Sequence, residues 1–251
     1  MKKLLLILVA IGLITCLFVG CTPTAPPSEG EGEGEGEEEV TRVVLVEIFS
    51  QFGCPHCKIV EPILEELADE YSRDEMILVE ERAYGLYSSD EILDRYKWYF
   101  PSKPDRGTPN VMFNGLNQRI HGSSTYLILK SKIETELAKQ AKIEISANRD
   151  SYSTTNTISG TIKNINSSTL NNLVINGMTF KDRGQTGMKY CVADIFEEQK
   201  ETVTTLEPGE SYSFSFSIDG FDWEGNNMHG VLFVQDPDST KKEVLQSFYI
   251  D

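Results

Sequence analysis

The sequence predicts an α/β domain over residues 42–141 followed by an all-β sandwich over residues 142–251. Three observations carry this reading. Apolar runs alternate with helix-spaced segments as far as Lys139, the helical spacing stops after Lys142, and short alternating or apolar runs then recur to the C-terminus.

Composition narrows the class. The 251 residues hold 39 acids against 23 bases and 39% hydrophobic residues, which suits a globular chain and excludes a collagen, a disordered tail or a polytopic membrane protein. At a net charge of −16, with no cluster of Lys and Arg, the chain lacks the basic stripe that nucleic-acid phosphates require. The five cysteines (Cys16, Cys21, Cys54, Cys57 and Cys191) cannot all close into disulfides within one chain.

Residues 1–20 have the three-part layout of a bacterial export signal: Lys2 and Lys3, the apolar run Leu4 to Ile14, then Leu17-Phe18-Val19-Gly20 before Cys21. A small residue directly before Cys resembles the lipobox of bacterial lipoproteins, although Phe18 stands where Leu is usual. The resemblance implies that Cys21 is lipidated and that the protein is exported and membrane-anchored, facing the periplasm or the cell exterior. A plain signal peptide and an uncleaved anchor are the alternatives. Residues 21–41 then read as an acidic tether, because the seven glutamates of Glu29 to Glu39, interleaved with glycine, offer nothing to bury. As a flexible chain it would reach on the order of 25 Å.

The continuous apolar run Val43 to Phe49, interrupted by Glu47, predicts a strand covered on both faces. After Cys54-Pro55-His56-Cys57, the residues Ile59, Val60, Ile63, Leu64, Leu67 and Ala68 repeat at helical spacing through Tyr71. Met76 to Glu81 reads as a strand and Ser89 to Trp98 as a helix. Asn110 to Phe113 and Gln118 to His121 form a strand pair turning at Asn114-Gly115, and Ser124 to Lys139 is a closing helix. Beyond Lys142, strands are expected at Ile143 to Ile145, Thr157 to Ile162, Leu173 to Met178, Tyr212 to Ile218, Val231 to Val234 and Val244 to Ile250. About seven strands without a helix suggest a sandwich of immunoglobulin-like size.

The chemistry-bearing motif is C-x-x-C at a strand-to-helix junction. That position puts Cys54 at a helix N-terminus, where the helix dipole and free amides favour a thiolate nucleophile. His56 adds positive charge or a hydrogen bond that stabilises the reduced form and makes the disulfide more oxidising. The other readings are a zinc site and a static disulfide. Zinc needs four ligands, no second C-x-x-C exists, and His121 and His229 lie far apart in sequence.

Residues 43–71, with C-x-x-C-K followed by Pro62-Ile63-Leu64-Glu65-Glu66-Leu67-Ala68-Asp69-Glu70-Tyr71, resemble the thioredoxin family, and Thr108-Pro109 before an apolar strand is similar to its cis-proline loop. The Pro55-His56 dipeptide is similar to that of periplasmic DsbA-like oxidases. The order of signal, tether and two domains resembles thioredoxin-like bacterial lipoproteins. The resemblance implies a thioredoxin-like α/β domain and thiol–disulfide oxidoreductase activity. Cys54 would attack or be attacked, Cys57 would resolve the mixed disulfide, and Thr108 with Pro109 would align the substrate backbone. Glu47, an acid in a buried strand where desolvation disfavours charge, would exchange a proton with Cys57, or else face solvent or pair with a Lys. Phe52-Gly53 is a one-residue insertion relative to the family, which bears on that register. The implied partners are extracytoplasmic protein thiols and disulfides, a membrane or soluble redox partner, and the membrane itself through Cys21. No cofactor beyond the Cys54–Cys57 disulfide and no metal is expected.

Two other functional classes stay open: a scaffold lipoprotein binding partners through its β domain, and a reductase for cytochrome or metal-centre maturation. Lys58 is expected on a solvated face and Cys191 as a buried, inert thiol. Tyr84, Tyr87, Tyr96, Trp98, Tyr99 and Phe100 read as packing residues or a substrate-facing cover. Asp222, Glu224 and Asn226 lack a defined calcium spacing.

Overall fold

The computed structural model of the protein describes residues 40–152, 155–219 and 222–251. The export signal, Cys21 and the tether as far as Glu39 lie outside the described residues. The described residues, Val40 to Asp251, fall in one compact unit. Among the described residues, no helix is long and apolar enough to cross a membrane.

Strand β1 (Val44–Gln51) is apolar from Val44 to Phe49 but for Glu47, and is buried through Ser50. It leads into α1 (Cys57–Glu70), whose buried residues Cys57, Val60, Glu61, Leu64, Glu65, Leu67 and Ala68 fall at helical spacing along one face. Strand β2 (Met76–Tyr84) pairs parallel with β1. The helix α2 (Asp90–Tyr99) is started by Ser89, whose side chain accepts from the Ile92 amide, with Asp90 and Glu91 in its first turn. Strand β3 (Asn110–Phe113) pairs antiparallel with β1 on one side and with β4 (Gln118–His121) on the other, and α3 (Tyr126–Leu137) follows. The turn at Asn114-Gly115 needs its glycine: Gly115 has φ of +71°, and a Cβ there would strike the Lys242 carbonyl. Asn114 bridges to β1, its Oδ1 accepting from Leu45 N at 2.8 Å.

The remaining strands are β5 (Ile143–Tyr152), β6 (Thr155–Asn164), β7 (Leu170–Lys181), β8 (Cys191–Ile195), β9 (Glu201–Leu206), β10 (Ser211–Asp219), β11 (His229–Gln235) and β12 (Val244–Ile250). They overturn the expected fold class. Among the described residues, strand accounts for 43% and helix for 20%, with three α-helices and two sheets, so the protein is β-rich rather than an α/β thioredoxin-like domain joined to an immunoglobulin-like sandwich. The strands of both segments enter a single nine-stranded sheet in the order β12-β11-β7-β8-β2-β1-β3-β4, with β9 paired to β7, while β10-β6-β5 form a second sheet. The join is β8, parallel to β2 at Glu80↔Cys191 and antiparallel to β7.

Side-chain alternation explains how the shared sheet supports two cores. In β11, Val231 and Phe233 pack into the core that holds the helices, whereas Leu232 and Val234 pack into the core closed by Ile145, Ile162, Phe214 and Phe216 of the smaller sheet. Successive residues of one strand are therefore buried on opposite faces, and the core that holds the helices is completed by Met178, Phe180, Val231 and Phe233 of the C-terminal strands.

Candidate functional site

Cys54 and Cys57 form a disulfide with Cα atoms 5.3 Å apart. The helix begins at Cys57, with His56 as its N-terminal flanking residue, so Cys54 stands in the turn just ahead of it. The Cys57 amide donates to Cys54 Sγ at 3.2 Å and the Lys58 amide to the Cys54 carbonyl at 3.3 Å. Amides at a helix start aimed at a sulfur favour its thiolate form. Cys54 keeps 6% of its surface exposed and Cys57 1%, which makes Cys54 the sulfur an incoming group can meet.

The Thr108–Pro109 peptide bond is cis. Thr108 O lies 3.4 Å from Cys54 Sγ, an acceptor for the thiol proton when Cys54 is reduced. The loop is pinned from behind: Gly107 O accepts from Tyr96 OH at 2.8 Å and from Asn110 Nδ2 at 2.7 Å, and Arg119 Nε donates to Asn110 Oδ1 at 2.8 Å. Tyr96 itself stacks on Phe49 with ring centroids 4.2 Å apart. Pro55 and His56 are exposed, and His56 Nδ1 lies 2.6 Å from Ser123 Oγ. Cys54, Pro55, His56, Cys57, Thr108 and Pro109 thus come together, and the structure adds Ser123, Tyr96 and Asn110.

Glu47 is not part of this group. It is fully buried, but its Oε1 accepts from Arg95 Nε at 2.6 Å and its Oε2 from Tyr99 OH at 2.9 Å, both on α2. Its β1 neighbour on the opposite face, Ser50, meets Arg82 and, through it, Glu61 of the cysteine helix. Side chains alternate along a strand, so Glu47 faces away from α1 and is a structural ion-pair partner. The acids on the cysteine side are Glu61 and Glu65 of α1 and Glu80 of β2, all buried. The sequence signal for Glu61 was its place four residues after Cys57, on the same helix face.

Of the aromatics, Tyr96, Tyr99 and Phe100 pack in the core while Tyr84 and Tyr87 are exposed. Lys58 is exposed. Cys191 is a free, buried thiol opposite Glu80, and burial pushes its pKa up, which makes it a poor nucleophile. Asp222 accepts from the Gly225 amide at 2.9 Å, and Glu224 pairs with Arg149 at 2.9 Å.

Glu80 gives a pH prediction. Burial pushes its carboxyl up to about 8, against the hydrogen bond it accepts from Tyr190 N at 2.9 Å. The folded state therefore binds a proton that the unfolded state releases, and stability falls as pH rises between about 4.5 and about 8. Glu80→Gln keeps an acceptor for Tyr190 N without the charge. Urea unfolding at both ends of that window should find the variant gaining stability relative to the parent toward alkaline pH, by up to a few kcal/mol.

A β-rich protein with a C-x-x-C disulfide at the head of a helix is the class that fold and site define, and such a disulfide is compatible with a redox role. No family model matches the chain, and no curated protein matches it. Among solved structures it is similar to HBP35 of Porphyromonas gingivalis, with a TM-score of 0.64 at 14% identity over 83% of this chain and 74% of that one. It is also similar to protein AGR_C_4864 from Agrobacterium tumefaciens, with a TM-score of 0.52 at 13% identity over 83% of this chain and 94% of that one. At these identities the likeness is one of fold.

Proposed function

We propose that the protein is a thiol–disulfide oxidoreductase acting on extracytoplasmic proteins, tethered to the membrane through a lipidated Cys21 and the acidic segment 21–41. The observation that carries the reading is the Cys54–Cys57 disulfide at the start of α1, with Thr108 O 3.4 Å from Cys54 Sγ beside the cis bond to Pro109. The resemblance of residues 43–71 to the thioredoxin family supports the same activity.

In the oxidising direction a substrate thiolate attacks Cys54 Sγ, a substrate–Cys54 bond forms, the Cys54–Cys57 bond breaks and Cys57 leaves as a thiolate. The second substrate thiolate then attacks its own partner sulfur, closing the substrate disulfide and releasing Cys54. The substrate dithiol is oxidised, the Cys54–Cys57 disulfide is reduced, and two protons pass from substrate sulfurs to protein sulfurs. An extended substrate segment can align against the Thr108 backbone by strand-like pairing. His56 favours this direction by stabilising the reduced pair.

The experiment is exchange with a reduced, unfolded polypeptide carrying two cysteines. The oxidised full chain should transfer its disulfide stoichiometrically, counted by thiol labelling, and Cys54→Ser should transfer none. Transfer undiminished in that variant would remove the proposal.

A further inference from the structure

Hydrogen bonds join three chain segments around the disulfide. Residues 122–125 connect β4 to α3, and within them Ser123 Oγ stands 2.6 Å from Nδ1 of His56, 67 positions away in sequence. The residue before it, Gly122, donates its amide to the Pro109 carbonyl at 2.9 Å. On the other side of that cis bond, the Thr108 carbonyl oxygen lies 3.4 Å from Cys54 Sγ. His121, at the end of β4, packs against the same loop, since a Cβ at Gly107 would strike its ring. The circuit therefore runs from Cys54 to Thr108 and Pro109, on to Gly122 and Ser123, and back through His56 to Cys57, its neighbour in the chain. Its supports are regular elements, which hold a contact more closely than free loops do: β4 pairs with β3, and Lys130 of α3 holds Glu70 of α1 at 2.9 Å. Gly122 has φ of +94°, and an added Cβ there would meet nothing within 4 Å, so the glycine serves the turn of the backbone and not the space around it.

We propose that Ser123 is a positioning residue of the redox site: it holds the His56 imidazole in place, so that the stabilisation His56 gives the reduced pair depends on a side chain from the β4–α3 connection. The inference rests on the thiol–disulfide reading of the site and names a residue on which the poise of that site depends. His56 is exposed and flanks the start of α1. An exposed imidazole without a partner moves among several rotamers, and a group that does so supports a neighbouring sulfur for only part of the time. Ser123 removes that freedom. A serine hydroxyl accepts from a ring N–H and donates to a bare ring nitrogen, so the contact to Nδ1 persists whichever nitrogen carries the proton. Threonine offers the same hydroxyl and alanine offers none. Through Gly122 the contact also ties the histidine to the cis-proline loop, against which an extended substrate segment would align.

Full-length parent, Ser123→Ala, Ser123→Thr, Gly122→Ala and His56→Ala proteins, with the double variant Ser123→Ala/His56→Ala, are equilibrated with glutathione buffers at one neutral pH. In each, two glutathione thiols reduce the Cys54–Cys57 bond to two protein thiols and become one glutathione disulfide, so the count of free protein thiols gives the equilibrium constant. Ser123→Ala should favour the oxidised protein about three- to tenfold over the parent, which lowers the potential by ~14–30 mV. Ser123→Thr should keep the parent's value. Gly122→Ala retains the hydroxyl but strains the turn that presents it, and should shift the equilibrium in the same direction as Ser123→Ala. In the His56→Ala background, Ser123→Ala should change nothing, because no ring remains to be held. Ser123 is exposed, so its substitution leaves the core untouched. A Ser123→Ala protein with the parent's potential, a Ser123→Thr protein that shifts as far as Ser123→Ala, or an equal Ser123→Ala shift with and without His56 overturns the positioning role while leaving the exchange reading intact. A parent that does not equilibrate with glutathione removes both.

Discussion

A Cys57→Ala protein will accumulate mixed disulfides through Cys54, and a Cys54→Ala protein will accumulate none. The asymmetry follows from position. Cys54 is the more exposed sulfur, lies beside Thr108 O and receives the Cys57 amide, whereas Cys57 is 1% exposed at the base of the helix. A substrate disulfide attacked by Cys54 has two exits: Cys57 resolves it, or the substrate's own second thiolate does. Removing Cys57 closes the first exit, so covalent adducts should persist by orders of magnitude longer than in the parent. Non-reducing gels of cells making each variant, with and without dithiothreitol, check the result. Equal adduct yields from both variants would mean that the two sulfurs are interchangeable, contrary to the geometry.

The largest loss of stability should come from Arg95→Leu, about 3–5 kcal/mol at neutral pH. The Arg95 side chain, 8% exposed, lies between Glu47 and Tyr99, and the fully buried Glu81 lies in the same electrostatic neighbourhood. Burial holds the Glu81 carboxyl well above the ordinary carboxylate range, and the charge of Glu47 pushes it the same way while Arg95 opposes. Without the guanidinium, the folded protein must keep protons on acids that the unfolded chain ionises above about pH 4.5. The penalty should therefore shrink in acid and grow as pH rises. Guanidinium unfolding of parent and variant at about pH 4 and about pH 8 should show the difference widening with pH. A constant difference would assign the loss to packing alone.

Much of the local structure was legible because it is written in short-range patterns. The apolar run before Cys54, the helical spacing after Cys57, Ser89 at the start of α2 and the Asn114-Gly115 turn each act over a few residues. What escaped was pairing at long range. Strand β8 has five residues, and its partner β2 lies over a hundred positions away in sequence, at Glu80↔Cys191. No periodicity signals such a pair, and β9 was missed with it. Without β8 as the join, the chain reads as two domains with separate sheets. With it, the sheet is continuous and the class is β-rich.

The site divides in the same way. Cys54, His56 and Cys57 announce themselves by residue type and spacing, whereas Thr108 and Pro109 are reached only through the resemblance to the thioredoxin family. Glu47 looked suitable because it is a charge in a buried strand, yet strand alternation turns it to α2, where Arg95 and Tyr99 hold it. Glu61 is buried by tertiary contacts, its carboxylate held by Arg82 and covered by the Gly187 turn.

The central claim is that Cys54–Cys57 is a working couple and not a fixed brace. Its reduction potential, measured on the full chain by equilibration with glutathione and dithiothreitol buffers and counting of free thiols, tests that claim most directly. The account predicts reversible exchange, with a potential above about −270 mV and toward the oxidising end of the range that thiol–disulfide oxidoreductases occupy, about −120 mV. A potential below about −300 mV, where structural disulfides resist reduction, or a pair that does not equilibrate at all, would contradict it.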